Sequence, residues 1–191
     1  MPRAVEIADV VRPKRGDVDQ ARHEETAMNE TRRKERNRQR LTECFPAFAA
    51  RVKAVIRDLE GEGFRPRIQD AHRTIADQLA AFERGTSRVK FGFHNVTGAD
   101  DKPESLAVDL LDDDNPTNPP RKYLIRLAAV AKAKGVQTGI FFGLPDVLRN
   151  GLSRAIATND FSKDVKIGFD PTHVEVAGIS IAEAKDGQRP A

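Results

Sequence analysis

Apolar and polar positions change rhythm several times along the 191-residue chain, and each change predicts an element. Leu41, Phe45, Phe48, Val52, Val55, Ile56 and Leu59 recur at steps of three and four. That is the stripe of an amphipathic helix with one face on a core. Pro46 suits the first turn of that helix, and Gly61 and Gly63 end it. Residues 64–69 read as a short strand. A second helix is predicted over residues 74–84, with Ile75, Leu79 and Phe82 on one face and Gly85 as its C-terminal cap. Residues 88–93 have strand or loop character, residues 94–105 form a polar loop, and residues 106–111 make a buried strand. The acidic turn Asp112-Asp113-Asp114-Asn115 leads through Pro119 and Pro120 into a third helix, which carries Tyr123, Leu124, Leu127, Ala128, Val130 and Ala131 and stops at Gly135. A strand over 136–142, a short helical piece over 146–152 and a strand from His173 to Val176 follow. Helices come first and strands later, joined by returns of mixed length. The prediction is an α+β fold, a small and largely antiparallel sheet with helices packed on it.

The first 40 residues depart from this pattern. Pro13 and Gly16 break residues 1–16, where disorder is expected, and residues 17–40 predict a charged helix with no apolar stripe. Such a helix needs a partner or frays. The expected division is therefore a charged, helical or disordered arm over 1–40, a folded domain over 41–180 and a flexible polar tail over 181–191.

Composition sharpens the contrast. The chain is 39% apolar, enough for a core, and 32% charged, above the usual figure of about a quarter. Much of the excess is the run Arg32-Arg33-Lys34-Glu35-Arg36-Asn37-Arg38-Gln39-Arg40. It lifts the isoelectric point to about 9.1 although the net charge is only +3. The run reads first as a solvated helix; a polyanion, either nucleic acid or an envelope polymer, is the alternative partner. The one cysteine, Cys44, excludes a disulfide within the chain and a cysteine-rich metal site, and reads as a buried thiol. No stretch approaches the roughly 20 apolar residues of a membrane span. The first residues lack the apolar core of a secretory signal, so synthesis in the cytoplasm is expected.

Candidate chemistry gathers in three places. Gly92-Phe93-His94-Asn95 supplies one imidazole, Ala107-Val108-Asp109 a carboxylate in an apolar strand, and Asp170-Pro171-Thr172-His173 a second imidazole and a second carboxylate. An unpaired carboxylate in a buried strand is costly, and metal coordination offsets that cost. A hydrolytic zinc ion takes three N or O ligands and leaves one position open; His94, Asp109 and His173 would be those ligands, with Asp100 or Asp101 as alternative carboxylates. Asp170 would act as the general base, and Glu175, on the strand face of His173, would either hold its imidazole or be an ordinary exposed strand residue. A regular strand sends positions 170 and 173 to opposite faces, so the chain must turn at Pro171-Thr172. His23 and His72 have no partners in this pattern, and Asp112 to Asp114 read as a solvated turn rather than a calcium site.

Five segments then occur in a familiar order: Arg73-Thr74-Ile75-Ala76-Asp77-Gln78-Leu79, Gly85-Thr86-Ser87, Phe93-His94-Asn95, Ala107-Val108-Asp109 and Asp170-Pro171-Thr172-His173. Over residues 41–176 the chain resembles the zinc peptidases of the D-alanyl-D-alanine carboxypeptidase and L-alanyl-D-glutamate endopeptidase family, which includes phage endolysins. The resemblance implies the Hedgehog/DD-peptidase fold, Zn²⁺ on His94, Asp109 and His173, Asp170 as base, and Arg73 steadying the substrate carbonyl. It implies peptidoglycan as substrate, with L-alanyl-D-glutamate cleavage favoured. Without a secretory signal, the expectation is an endolysin, a virion-associated lysin or a toxin delivered by an injection machine, with residues 1–40 docking it to a particle. Neither a membrane span nor a nucleic-acid partner is expected. Two departures stand out: Gly92 replaces the family's usual serine, and residues 95–105 lengthen the interval between His94 and Asp109. They favour the alternative, an inactive member serving as a binding module through its basic arm.

Overall fold

The computed structural model describes residues 15–162 and 164–191, with side chains from residue 24 onward. Most of the segment expected to be disordered, residues 1–14, and the side chain of His23 lie outside the described residues.

Helix α1 spans Arg15–Leu41 and α2 spans Pro46–Gly61. Strand β1 (Pro66–Asp70) and helix α3 (Ile75–Glu83) follow, then a single 3₁₀ turn over Phe93–Asn95. The second half holds β2 (Ala107–Asp112), α4 (Arg121–Ala133), β3 (Val136–Gly139), α5 (Asp146–Thr158), β4 (Asp170–Val176) and α6 (Ile181–Lys185). The four strands form one sheet in the order β1-β2-β4-β3, and every pair is antiparallel. The α+β architecture expected from the apolar pattern is the architecture observed.

The core forms where the helical stripes meet the sheet. Phe48, Val52, Val55 and Leu59 of α2 and Tyr123, Ile125, Leu127 and Ala131 of α4 are buried with Ile68, Val108, Leu110, Val174 and Val176 of the strands. Tyr123 satisfies its hydroxyl by donating to the Leu110 carbonyl at 2.9 Å. Pro46 opens α2 after Phe45, so Leu41 ends α1 instead of starting α2. Helix α5 runs six residues past the expected stop, to Thr158, where Asn159 takes the left-handed conformation. Strand β3 stops at Gly139, short of residue 142.

The charged N-terminal segment is built into this body. Helix α1 lies against β1, an edge strand, and covers it with polar side chains. Asn37 accepts from the Ile68 N–H at 2.7 Å and donates to the Pro66 carbonyl at 2.9 Å. Arg33, only 3% exposed, also donates to Pro66, and Arg36 donates to the carbonyls of Ile68 and Gln69. These bonds occupy backbone groups that an open edge would leave unpaired. The partner that a helix without an apolar stripe requires is thus the sheet edge. Within the described part of the expected arm, residues 30 to 37 are therefore packed on the sheet.

The expected loose tail is likewise held. Ser180 caps α6, Ala184 is buried, and Arg189 donates to Glu104 and to the Thr97 carbonyl, both at 2.7 Å.

Candidate metal centre

The centre is assembled from two neighbouring strands and one turn. Asp109 and His173 are directly paired across β2 and β4, so their side chains rise from the same face at close range. The His173 Nδ1 lies 3.2 Å from Asp109 Oδ1. Glu175, two residues on, shares that face, and its Oε2 accepts from His173 Nε2 at 2.9 Å. Gln137 of β3 holds the other Glu175 oxygen at 2.8 Å.

His94 arrives on the 3₁₀ turn, which is tied down at both ends. Asn95 accepts from the Gly92 N–H at 2.8 Å and donates to the Arg73 carbonyl at 2.8 Å, while the Arg73 N–H donates to the His94 carbonyl at 2.9 Å. The His94 Nδ1–H donates to the Ala71 carbonyl. Each imidazole therefore spends one nitrogen on an oxygen acceptor and turns the other, His94 Nε2 and His173 Nδ1, toward Asp109. That is how proteins orient metal-binding histidines.

Donor spacing tests whether an ion fits. Bonds of about 2.1 Å in a tetrahedron set neighbouring donors about 3.4 Å apart. Here the separations are 3.3 Å between the two imidazole nitrogens and 3.2 and 3.5 Å from them to Asp109 Oδ1. Among the described residues, His94, Asp109 and His173 are the one group of this kind that could hold a metal ion. Asp100 and Asp101 are not part of it: both are exposed in a turn, with Asp100 paired to Lys102. That turn belongs to the excursion over residues 95–105. It closes on itself through the Thr97–Pro103 bridge and returns at Ser105, which bridges to Cys44, so β2 enters the sheet in register.

Asp170 reaches the same cleft through an irregularity in β4. Thr138 pairs with Val174, but the next residue, Gly139, pairs with Asp170. The slack across residues 171–173 is the turn that the sequence demanded. Two glycines permit it: a Cβ on Gly139 would stand 2.2 Å from the Asp170 carbonyl oxygen, and one on Gly168 within 2.7 Å of the backbone at Ile140 and Phe142.

Arg73 sits on the opposite wall. Asp70 holds its Nη2 and Nε at 2.8 and 3.1 Å, and Gln78 accepts from its Nη1 at 3.1 Å, leaving Nη2 3.9 Å from Asp109 Oδ2. Gln78 is only 2% exposed and also donates to Ser87 and the Val89 carbonyl. That polar anchor rotates α3: of the expected apolar face of Ile75, Leu79 and Phe82, the first two are 48% and 39% exposed and Phe82 is half-buried. Asp70 and Gln78 were not singled out in the sequence; Gln78 lies beside the stripe of Ile75, Leu79 and Phe82, where nothing marked it as the buried residue.

The cleft has a volume of about 570 Å³ and is walled on one side by Phe142 and Phe169, with the Arg88 guanidinium 3.7 Å over the Phe169 ring. A wider groove of about 820 Å³ between α4, α5 and β3 is lined by Arg126, Lys132 and Arg149 and by no carboxylate or histidine. His72 lines a different cavity, beside Ile75 and Phe91.

Electrostatics follow from the packing. Burial opposes charge on His173, but the hydrogen bonds and charges of Asp109 and Glu175 outweigh it and push the imidazole up to about 10 in the metal-free chain. Burial also works against the Asp109 carboxylate, and the two imidazoles overcome it, holding that group well below the usual carboxylate range. Burial lifts the Asp170 carboxyl above its ordinary value; His173 and His94 oppose the shift and Asp109 and Glu175 add to it. Three residues that could hold a metal ion, a carboxyl of raised proton affinity and a fixed guanidinium thus share one cleft. Comparison with protein-family models, with curated proteins and with solved structures finds no match to this chain.

Proposed function

We propose that the chain is a zinc-dependent peptidase acting on the stem peptides of bacterial peptidoglycan, with the L-alanyl-D-glutamate bond as its target. The observation that carries this reading is the near-equal spacing of the His94, Asp109 and His173 donors on the floor of a cleft that also holds Asp170 and Arg73. The order of the five motifs supports the substrate class. Two imidazoles and one carboxylate suit zinc, whereas calcium and magnesium prefer oxygen alone.

When bound, zinc supplies Lewis acidity toward a water molecule and the scissile carbonyl. Asp170 takes the proton of the attacking water and then hands it to the leaving amine; its raised proton affinity suits both steps. Arg73, clamped by Asp70 and Gln78, meets the carbonyl oxygen as negative charge develops, and an already oriented guanidinium needs no reorganisation at that moment. Phe142 and Phe169 give the substrate an apolar wall. An enzyme of this kind reaches the wall on lysis or by delivery, as an endolysin, virion-associated lysin or injected toxin does.

The glycine at position 92 leaves His94 oriented, since the imidazole already donates through Nδ1–H to the Ala71 carbonyl. The test is digestion of purified peptidoglycan by zinc-loaded protein, read by mass spectrometry of new amino termini. New D-glutamate or D-isoglutamine termini are expected; free D-alanine alone would move the activity to D,D-carboxypeptidase. Absence of cleavage by protein carrying one zinc would overturn the proposal. Asp170→Ala should keep its metal and lose about 10²- to 10⁴-fold in rate.

A further inference from the structure

The basic run of α1 has a use beyond covering the sheet edge. Asn29, Arg32, Arg33 and Arg36 lie at helical steps of three and four and so share one face. Across from them, Arg65 and Arg67 flank Pro66 at the start of β1 and alternate onto one side of the strand. Together with Asp113 they line a pocket of about 350 Å³. Five guanidinium groups thus converge on one small space.

Their carboxylate partners do not use them all. Arg33 is saturated by Glu30, Glu60 and the Pro66 carbonyl, and forms the floor. Arg67 pairs with Asp113, and Arg65 with Asp114 and Glu30. Arg65 Nη2, however, is buried with no hydrogen-bond partner and reaches Asp113 Oδ2 only at 3.8 Å. Among the described residues Arg36 has only backbone carbonyls as hydrogen-bond partners, and Arg32 has no ion-pair partner. Burial, then the facing charges of Arg67 and Arg40, depress the proton affinity of Arg36, which Asp70 and Asp113 only partly restore. A buried guanidinium N–H without an acceptor beside incompletely neutralised arginines is the environment that a tetrahedral oxyanion relieves.

We infer that the pocket between α1 and the start of β1 is a binding site for a phosphate group, with Arg32 and Arg36 as its principal donors and Arg65 in its wall. The site is separate from the metal cleft and owes nothing to the peptidase reading. The phosphate belongs either to a free anion or to a phosphodiester polymer, both of which present the same oxygens.

Calorimetric titration of the full chain with inorganic phosphate tests the site. Saturable one-to-one binding is expected for the natural chain and for His94→Ala/His173→Ala, which removes two metal ligands. Loss of a charge-assisted hydrogen bond should weaken binding roughly tenfold or more in Arg32→Gln and further in Arg32→Gln/Arg36→Gln. Arg32→Gln has no intramolecular partner to lose, so it keeps the test meaningful should Arg36→Gln unfold. Unchanged affinity in both arginine variants, loss of binding in the histidine variant, or no saturable binding at all would overturn the site. Competition by a glycerol phosphodiester would assign it to a polymer; phosphate binding without that competition would assign it to the free anion.

Discussion

At the scale of single residues, the cluster of His94, Asp109 and His173 was legible because polar residues in such contexts are costly without partners. Asp109 lies among Leu106, Val108, Leu110 and Leu111, and a carboxylate there must find a partner. His173 alternates with Glu175, so their shared face followed from strand geometry alone. What the sequence could not display is support that depends on two distant elements meeting. Asp70 anchors Arg73 only because β1 carries an irregularity between Ile68 and Asp70. Asn95 holds the His94 turn only because the chain after β1 passes beside it. The orientation of the ligands gives a first prediction at this scale. Glu175→Gln weakens the acceptor on His173 Nε2 and should lower metal affinity about 10- to 100-fold, read by competition with a chelating dye. Gln137→Ala, which only frees the far Glu175 oxygen, should cost less. Equal loss in the two variants would show that Glu175 acts through the sheet, not through His173.

Elements differ in how plainly they announce themselves. Helices α2 and α4 did so by stripe, because an apolar face is what places them on the core. Helix α3 is rotated by about a quarter turn from its expected face, since burying Gln78 satisfies the turn at Ser87 and Val89 and positions Arg73 at once. Helix α1 had no stripe to read, because its docking is made of hydrogen bonds to an edge strand, and no periodicity of apolar residues records that. Asn37 is the residue on which this docking turns. In Asn37→Ala the Ile68 N–H loses its acceptor, a loss of about 1–3 kcal/mol, measured by urea denaturation, with metal affinity unchanged. Stability equal to that of the natural chain would mean that water replaces the amide at no cost.

For the molecule as a whole, the cluster of His94, Asp109 and His173 ties stability to pH in a definite direction. In the metal-free chain His173 is raised from 6.5 to about 10. Its contribution to stability is full below its unfolded value and is lost as pH rises through the folded one. Asp109 is shifted the other way, so its contribution is present above its unfolded value and fades only in strong acid. The metal-free cluster therefore stabilises most between these unfolded values. A metal ion needs the neutral imidazole, so it competes with the proton there and gains as pH rises. The difference in melting temperature between metal-loaded and chelator-treated protein should widen from pH 6 to pH 9 in calorimetric scans. A difference that narrows over that range would contradict the assignment of His173 as a ligand.

The slack in β4 also bears on ancestry. Metal ligands can be found by many unrelated chains, because two imidazoles and a carboxylate are easily supplied. The positions opposite the slack are harder to come by chance, since Gly139 and Gly168 each lie where any larger residue would collide with backbone. A distant cousin of this chain should therefore be recognised less by its histidines than by a glycine ending its third strand and another five residues before its last ligand. Chains that share the ligands but carry bulk at both places would have reached the same chemistry by a separate road.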